Sequence, residues 1–206
     1  MNDLYLKRYD QKDYYWGTEP SSTCRRVADL LSDRPLRVLD IGCGEGRDAV
    51  YLAGKGHQVT AFDASPAGID KALRLAEQAG VAITAFVADI NEYRFTQEFD
   101  LLISTGVFQY IPSHLRLSVI ANYREFTAPM GLNAFSVFVD KPFIPAAPDA
   151  ESTAHRWISG ELLSLYWDWK IEFSGEDIFE CMSSGIRHQH AMSRIIARKP
   201  ASDSAG

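Results

Sequence analysis

VLDIGCGEGR, residues 38–47, begins as a buried apolar strand and ends inside the first turn of a helix. Leu36 to Ile41 supplies the strand, and Gly46 to Lys55 the helix, which Gly56 stops. The glycines at 42, 44 and 46 let the backbone turn sharply and approach a bound molecule closely. In an open parallel sheet, nucleotides bind where such a loop meets the carboxyl ends of the strands. The dinucleotide fingerprint GxGxxG needs glycine at 47, and Arg47 stands there instead. Asp40 lies just ahead of the first glycine. A carboxylate in that place suits a cationic ligand better than a pyrophosphate, which a helix N-terminus would hold.

Outward from this loop the pattern repeats. Gln58 to Phe62 reads as a second strand, and a helix follows with Ser65 as N-cap and Pro66 in the first helical position, running to about Ala79. Ala82 to Val87 and Phe99 to Ser104 read as strands three and four. A helix is expected from Ser113 to Phe126, ended by Pro129 and Gly131, with a fifth strand from Asn133 to Val139. Lys141 to Ala154 is rich in Pro and Ala and reads as a loop, Ser159 caps a short helix through Tyr166, and Lys170 to Phe173 and His188 to Ala197 are the last strands. Strand and helix in alternation predict a parallel sheet covered on both faces. The final two strands lack room for a crossover helix and pair antiparallel. The expectation is therefore an α/β fold, a Rossmann-like seven-stranded mixed sheet with helices on both faces. One domain spans 1–199, with 1–20 covering the cofactor, 141–157 a lid loop, and 200–206 a disordered tail.

Three acids follow three consecutive strands. Besides Asp40, Asp63 ends the second strand, 17 residues after Gly46 (63 − 46), where a carboxylate can accept from both hydroxyls of a ribose. Asp89 ends the third strand and can accept from an adenine amine, with Ile90 packed on the ring. S-adenosylmethionine (AdoMet) carries a ribose, an adenine and two cationic centres, so the glycine loop and the acids together read as its site. Cys43, Gly42, Gly44 and Arg47 in the loop, Ala64 beside Asp63, and Ser104 and Thr105 after the fourth strand join that set. Tyr14 and Trp16 would pack over the cofactor from the N-terminal segment.

At this point the chain resembles a class I AdoMet-dependent methyltransferase along nearly its whole length. More narrowly it resembles the tellurite-resistance (TehB-like) and related small-molecule methyltransferases, on YYWGTEPS at 14–21, FDLLISTGVFQYI at 99–111, and SGELLSLYWDW at 159–169 followed by RHQHAMSRIIARKP at 187–200. The resemblance implies the class I strand order with an antiparallel last strand. It also implies methyl transfer to a small molecule, a thiol or a metalloid oxyanion such as tellurite, leaving S-adenosylhomocysteine (AdoHcy). The family's late His-Arg pair after a Gly-Glu has no counterpart in EDIFECMSSG, residues 176–185, which argues against tellurite. Rival readings are an NAD-dependent oxidoreductase, which Arg47 opposes, and a non-catalytic AdoMet-binding module.

Methyl transfer is an in-line displacement whose main demand is alignment, so no fixed catalytic motif is expected. His188 and His190, two apart on the last strand, share a face; with Arg187 and the nearby Arg194 they are the candidates for catalysis or for binding an anion. Two histidines make no metal site without a third ligand, and none is evident, so no metal is expected. Phe108 and Tyr110 are candidate pocket walls, and Lys141, His155 and Arg156 candidate attractors of an anionic acceptor. His57 and His114 read as surface residues. The chain lacks the [DNS]PP[YFW] tetrapeptide after strand four, and its net charge is −6, both of which speak against a nucleic acid partner. Three dispersed cysteines suggest neither a disulfide framework nor a zinc motif, and no apolar run reaches about 20 residues. A cytoplasmic monomer or homodimer, with no membrane partner, is the resulting expectation.

Overall fold

The computed structural model describes residues 9–32, 34–148, 154–182 and 185–201. The elements are α1 (Ser22–Ala28), β1 (Arg37–Ile41), α2 (Arg47–Gly54), β2 (Gln58–Asp63), α3 (Pro66–Gln78), β3 (Thr84–Val87) and β4 (Phe99–Thr105). There follow two 3₁₀ turns (Phe108–Tyr110, Ser113–Leu115), α4 (Arg116–Glu125), β5 (Thr127–Val139), α5 (Glu161–Ser164), β6 (Lys170–Cys181) and β7 (His188–Arg198). The seven strands form one sheet in the order β3-β2-β1-β4-β5-β7-β6, with β7 alone running against its neighbours. The mixed α/β sheet expected from the sequence is the one observed.

Period-two alternation sorts the strands between two cores. Leu39, Ile41, Leu102, Phe135 and Val137 face one side, packed with Val119, Tyr123, Trp157 and Tyr166. Val38, Val59, Ala61, Leu101 and Ile103 face the other, packed with Cys24 and Val27 of α1 and Ala49 and Leu52 of α2. α3 starts as anticipated, with the Ser65 hydroxyl accepting from Gly68 N–H at 3.1 Å.

Four boundaries differ from expectation. α1 has no strong apolar period and was not anticipated; Ser21 caps it, accepting from Cys24 N–H at 3.1 Å. β5 starts at Thr127, not Asn133: Pro129 and Gly131 lie in an irregular stretch where pairing to β4 shifts register and Met130 takes φ 63°. A bulge tolerates a residue without an N–H, so these punctuating residues bend a strand instead of separating two elements. The Ser159 cap is replaced by Gly160, leaving only Glu161–Ser164 helical. β6 runs on from Phe173 to Cys181. Its acids Glu176, Asp177 and Glu180 broke the apolar pattern, yet an outermost strand carries charge without penalty. Most of the anticipated 200–206 tail, residues 202–206, lies outside the described residues, as does 1–8 of the N-terminal segment.

Among the described residues no helix is long and apolar enough to cross a membrane.

Candidate active site at the sheet's carboxyl edge

From β1 the chain steps to β2 and β3 on one side and then crosses to β4 on the other, so β1 and β4 flank a topological switch point, the place where such sheets hold ligands. The loops after β1 and β4 meet there: a Cβ on Gly42, at φ +66°, would lie 2.6 Å from Val107. A cleft of about 1440 Å³ opens over this point and continues past the ends of β5, β6 and β7.

At one end it is lined by Asp40, Gly42, Cys43, Gly44, Arg47, Asp48, Asp63 and Thr105. Asp63 is buried and accepts from Gly44 N–H at 2.9 Å and Ser65 N–H at 2.8 Å. Burial pushes its carboxyl pKa up, opposed by those N–H groups. A carboxylate has about four acceptor positions, so capacity remains for a ligand beyond these backbone donors. Asp40 is buried too; burial, then the charge of Asp48, raises its pKa well above the usual range. Its Oδ2 has no hydrogen-bond partner among the described residues. An orphaned buried carboxylate oxygen on a cleft wall is suited to a cationic donor. Asp48, which the sequence reading passed over, accepts from Ser21 N–H at 2.6 Å, Ser21 Oγ at 2.7 Å and Thr105 Oγ1 at 3.3 Å, tying α1 and β4 to α2.

The N-terminal segment lies against the loop through Glu45. This buried carboxylate accepts from the N–H groups of Tyr15 and Trp16, each at 3.1 Å, and from Lys71 Nζ at 2.7 Å. Lys71 and Glu45 are 3% and 2% exposed, an ion pair out of reach of solvent. Arg47 Nη1 donates to the Trp16 carbonyl at 2.9 Å. Tyr9 lies over Gly44, whose Cβ at φ +54° would meet its hydroxyl at 2.7 Å. The space above Gly44 is thus bounded by Tyr9 of this chain, not by a ligand alone.

Several anticipated site residues make other contacts within the protein. Tyr14 faces the helices, packing with Val50, Leu75 and Ala76, and its hydroxyl donates to the Lys71 carbonyl. Ser104 is fully buried and its hydroxyl donates to the Ile41 carbonyl at 2.9 Å, a bond between strands. Asp89 accepts from Asn91 N–H at 2.8 Å within its own turn, and Ile90 is buried in the core. Asp89 and Ala64 nonetheless stay beside Asp63, whose carboxyl pKa the charge of Asp89 raises, although neither they nor Ile90 are among the cleft's lining residues. Phe108 is likewise a core residue, stacked on Trp157, whereas Tyr110 lines the cleft.

At the other end stand Phe138, Lys141 to Ala147, Ala154 to Arg156, Phe179, Cys181, His190, Met192 and Arg194. The expected cations are already matched: Lys141 pairs with Glu176, Arg156 with Asp140, and Arg194 with Asp177. Arg187 is turned away to Glu180 at 2.8 Å and does not line the cleft. His188 and His190 do come together, Nε2 to Nε2 at 2.9 Å. Pairing of β6 with β7 sets Cys181 opposite His188, so the third ligand atom absent from the sequence reading is present in space. It was hidden because the charged stretch of β6 did not read as strand.

The family model for tellurite resistance protein TehB matches residues 4–188. The chain belongs to the TehB family. It is 28% identical over 199 residues to the Haemophilus influenzae protein named "Probable S-adenosyl-L-methionine-dependent methyltransferase TehB", covering 93% of this chain and 68% of that one. The crystal structure of Haemophilus influenzae TehB superposes with a TM-score of 0.78 at 26% identity, over 96% of this chain and 66% of that one. The chain therefore spans about two thirds of that TehB's length. A 2-heptyl-1-hydroxyquinolin-4(1H)-one methyltransferase of Mycobacteroides abscessus is 33% identical over 132 residues, 63% of this chain and 58% of that one. The TehB-family chain described here is thus an AdoMet-dependent methyltransferase with the class I fold. Membership sets the oxidoreductase alternative aside.

Proposed function

We propose that the glycine-loop end of the cleft holds AdoMet and that the end walled by β5, β6 and β7 holds an organic, largely apolar acceptor. The observation that carries this is the cleft itself. Its volume of about 1440 Å³ exceeds the roughly 300–1,000 Å³ usual for one ligand, and it is continuous from Asp63 to His190.

The residues present fit the cofactor. Asp63 would accept from the ribose hydroxyls with its remaining acceptor capacity. Asp40 Oδ2 would accept from the ammonium of the methionine arm, gaining the partner it lacks in the protein. Gly42 and Gly44 keep the floor free of side chains, and Trp16, held by Glu45, closes the roof against water. When bound, AdoMet supplies an electrophilic methyl carbon. The chain's own part is alignment and exclusion of water, which can supply most of what such a displacement needs.

Aromatic and apolar side chains dominate the acceptor end: Tyr110, Phe138, Phe143, Ile144, Phe179 and Met192. Its cations are neutralised by partner carboxylates. A bare oxyanion such as tellurite would find little free positive charge, whereas a hydroxylated heteroaromatic or an organic thiol would bury its apolar body. The quinolone acceptor named for the Mycobacteroides abscessus relative is of the first kind. The lid expected at 141–157 falls partly outside the described residues, at 149–153; its described parts, Lys141 to Ala147 and Ala154 to Arg156, line this end above a neck closed by Asp140 N–H to the Trp157 carbonyl at 2.9 Å, and on this reading they cover the acceptor.

The test is AdoHcy release with a panel of hydroxyquinolines, aryl thiols and tellurite. Turnover is expected with one of the organic classes. Turnover with tellurite alone would overturn the acceptor assignment.

A further inference from the structure

We propose that Cys181, His188 and His190 form a binding site for a zinc-class divalent cation at the acceptor end of the cleft. Three independent features of the strand pair lead there. First, the register places Cys181 opposite His188 and Phe179 opposite His190 in the antiparallel β6–β7 pair. Directly opposed residues project to the same face, and residues two apart on one strand do as well, so all three side chains share one face. Second, the donor atoms converge. His188 Nε2 and His190 Nε2 are 2.9 Å apart, and both lie within 4.8 Å of the Cys181 sulfur. A tetrahedral zinc ion with bonds of about 2.0–2.1 Å to nitrogen and about 2.3 Å to sulfur sets its ligand atoms roughly 3.3–3.6 Å apart. Small rotamer adjustments bring this cluster to that spacing.

Third, the tautomer of His188 is fixed from outside. Its Nδ1 lies 2.7 Å from the Ile186 carbonyl oxygen. A carbonyl can only accept, so Nδ1 carries the proton and the neutral ring offers its lone pair at Nε2. A ligating histidine is ordinarily oriented by such a bond from its other nitrogen. The rings of Phe138 and Phe179, with centroids 5.0 Å and 5.8 Å from that of His190, add an apolar shell that strengthens electrostatic binding.

The donor set chooses the ion. Two imidazoles and a thiolate favour zinc and its soft neighbours over magnesium or calcium, which take oxygen. Of the three cysteines, Cys24 and Cys43 are buried, with thiols that burial pushes up in pKa, while Cys181 is partly exposed and on the cleft wall. Three protein ligands leave the fourth position of a tetrahedral ion open. Cys181 and His190 line the cleft, so that position faces the cleft and would take a water or an organic thiolate. The proposal stands on the strand pairing and does not depend on the identity of the acceptor.

The experiment uses the full chain without a histidine tag, titrated with Co²⁺ and then Zn²⁺. One equivalent of Co²⁺ should produce the intense thiolate-to-cobalt absorption of tetrahedral coordination, and Zn²⁺ should displace it. Cys181→Ser should abolish the band, and His188→Gln and His190→Gln should each weaken Zn²⁺ binding by about 10–100-fold or more. Bound Zn²⁺ should also protect Cys181 from alkylation in the wild-type protein, a readout that needs no variant to fold. Absence of the band, its persistence in Cys181→Ser, or unchanged alkylation of Cys181 under saturating Zn²⁺ would each overturn the site.

Discussion

Asp63 and Asp40 are both buried acids whose pKa burial raises, but they differ in their partners, and single substitutions separate them. Asp63 holds two backbone N–H groups and, on the reading above, a ribose. Asp63→Ala should weaken AdoHcy binding by about 2–3 kcal/mol, the scale of lost hydrogen bonds to a charged group, with a further loss of order in the loop. Calorimetry showing unchanged affinity in a folded variant would remove Asp63 from the site. Asp40 is a buried acid with an unpartnered oxygen, its pKa raised by burial and by Asp48. A raised folded-state pKa means the ionised form costs stability above the unfolded carboxylate range, and that cost fades as pH falls toward it. Asp40→Asn should therefore raise the melting temperature at neutral pH, by about 2–4 °C for each kcal/mol relieved, while weakening AdoHcy binding. Its advantage should shrink as pH is lowered toward about 4, near the unfolded aspartate value. A variant less stable than wild type at neutral pH would show that the charge is compensated.

At the scale of elements, the N-terminal segment and the loop after β5 are held in different ways. Glu45 anchors the segment with three hydrogen bonds, one from the buried Lys71. Removing one partner of such a pair leaves a buried charge, so Glu45→Ala should cost about 3–5 kcal/mol and speed hydrogen exchange at Tyr15 and Trp16. Pairing Glu45→Gln with Lys71→Met should recover much of that loss; no recovery would mean the carboxylate acts apart from Lys71. For the loop, replacing Pro145–Pro148 by two glycines should lower turnover about tenfold or more with AdoHcy affinity little changed, if its described parts, Lys141 to Ala147 and Ala154 to Arg156, close over the acceptor. Unchanged turnover would deny it that role. The elements nearest the glycine loop were legible because apolar periodicity and glycine punctuation agree there. β6 was half legible, since Glu176, Asp177 and Glu180 mimic a loop on a strand that faces water. The Cys181–His188 juxtaposition depends on register between strands, which no local pattern encodes. Tyr14 and Ser104 were misplaced for a related cause: the sequence shows that a residue is near the loop, not which way it points.

For the whole molecule, the strand order decides where function can reside. The switch between β1 and β4 opens the cleft, and the antiparallel β7 brings its amino end, with His190, to the same edge as the carboxyl ends of the parallel strands. One sheet edge thereby joins a polar, acid-lined half to an aromatic half. The central claim is that AdoMet occupies the first of these, over Gly42 to Gly44 and against Asp63 and Asp40. Diffraction from crystals grown with saturating AdoHcy tests it most directly. The expected result is ligand density with the ribose on the Asp63 carboxylate, the amino group near Asp40 Oδ2, and the sulfur facing the Tyr110 and Phe138 half. Density outside the cleft, or a ribose with no contact to Asp63, would contradict the account.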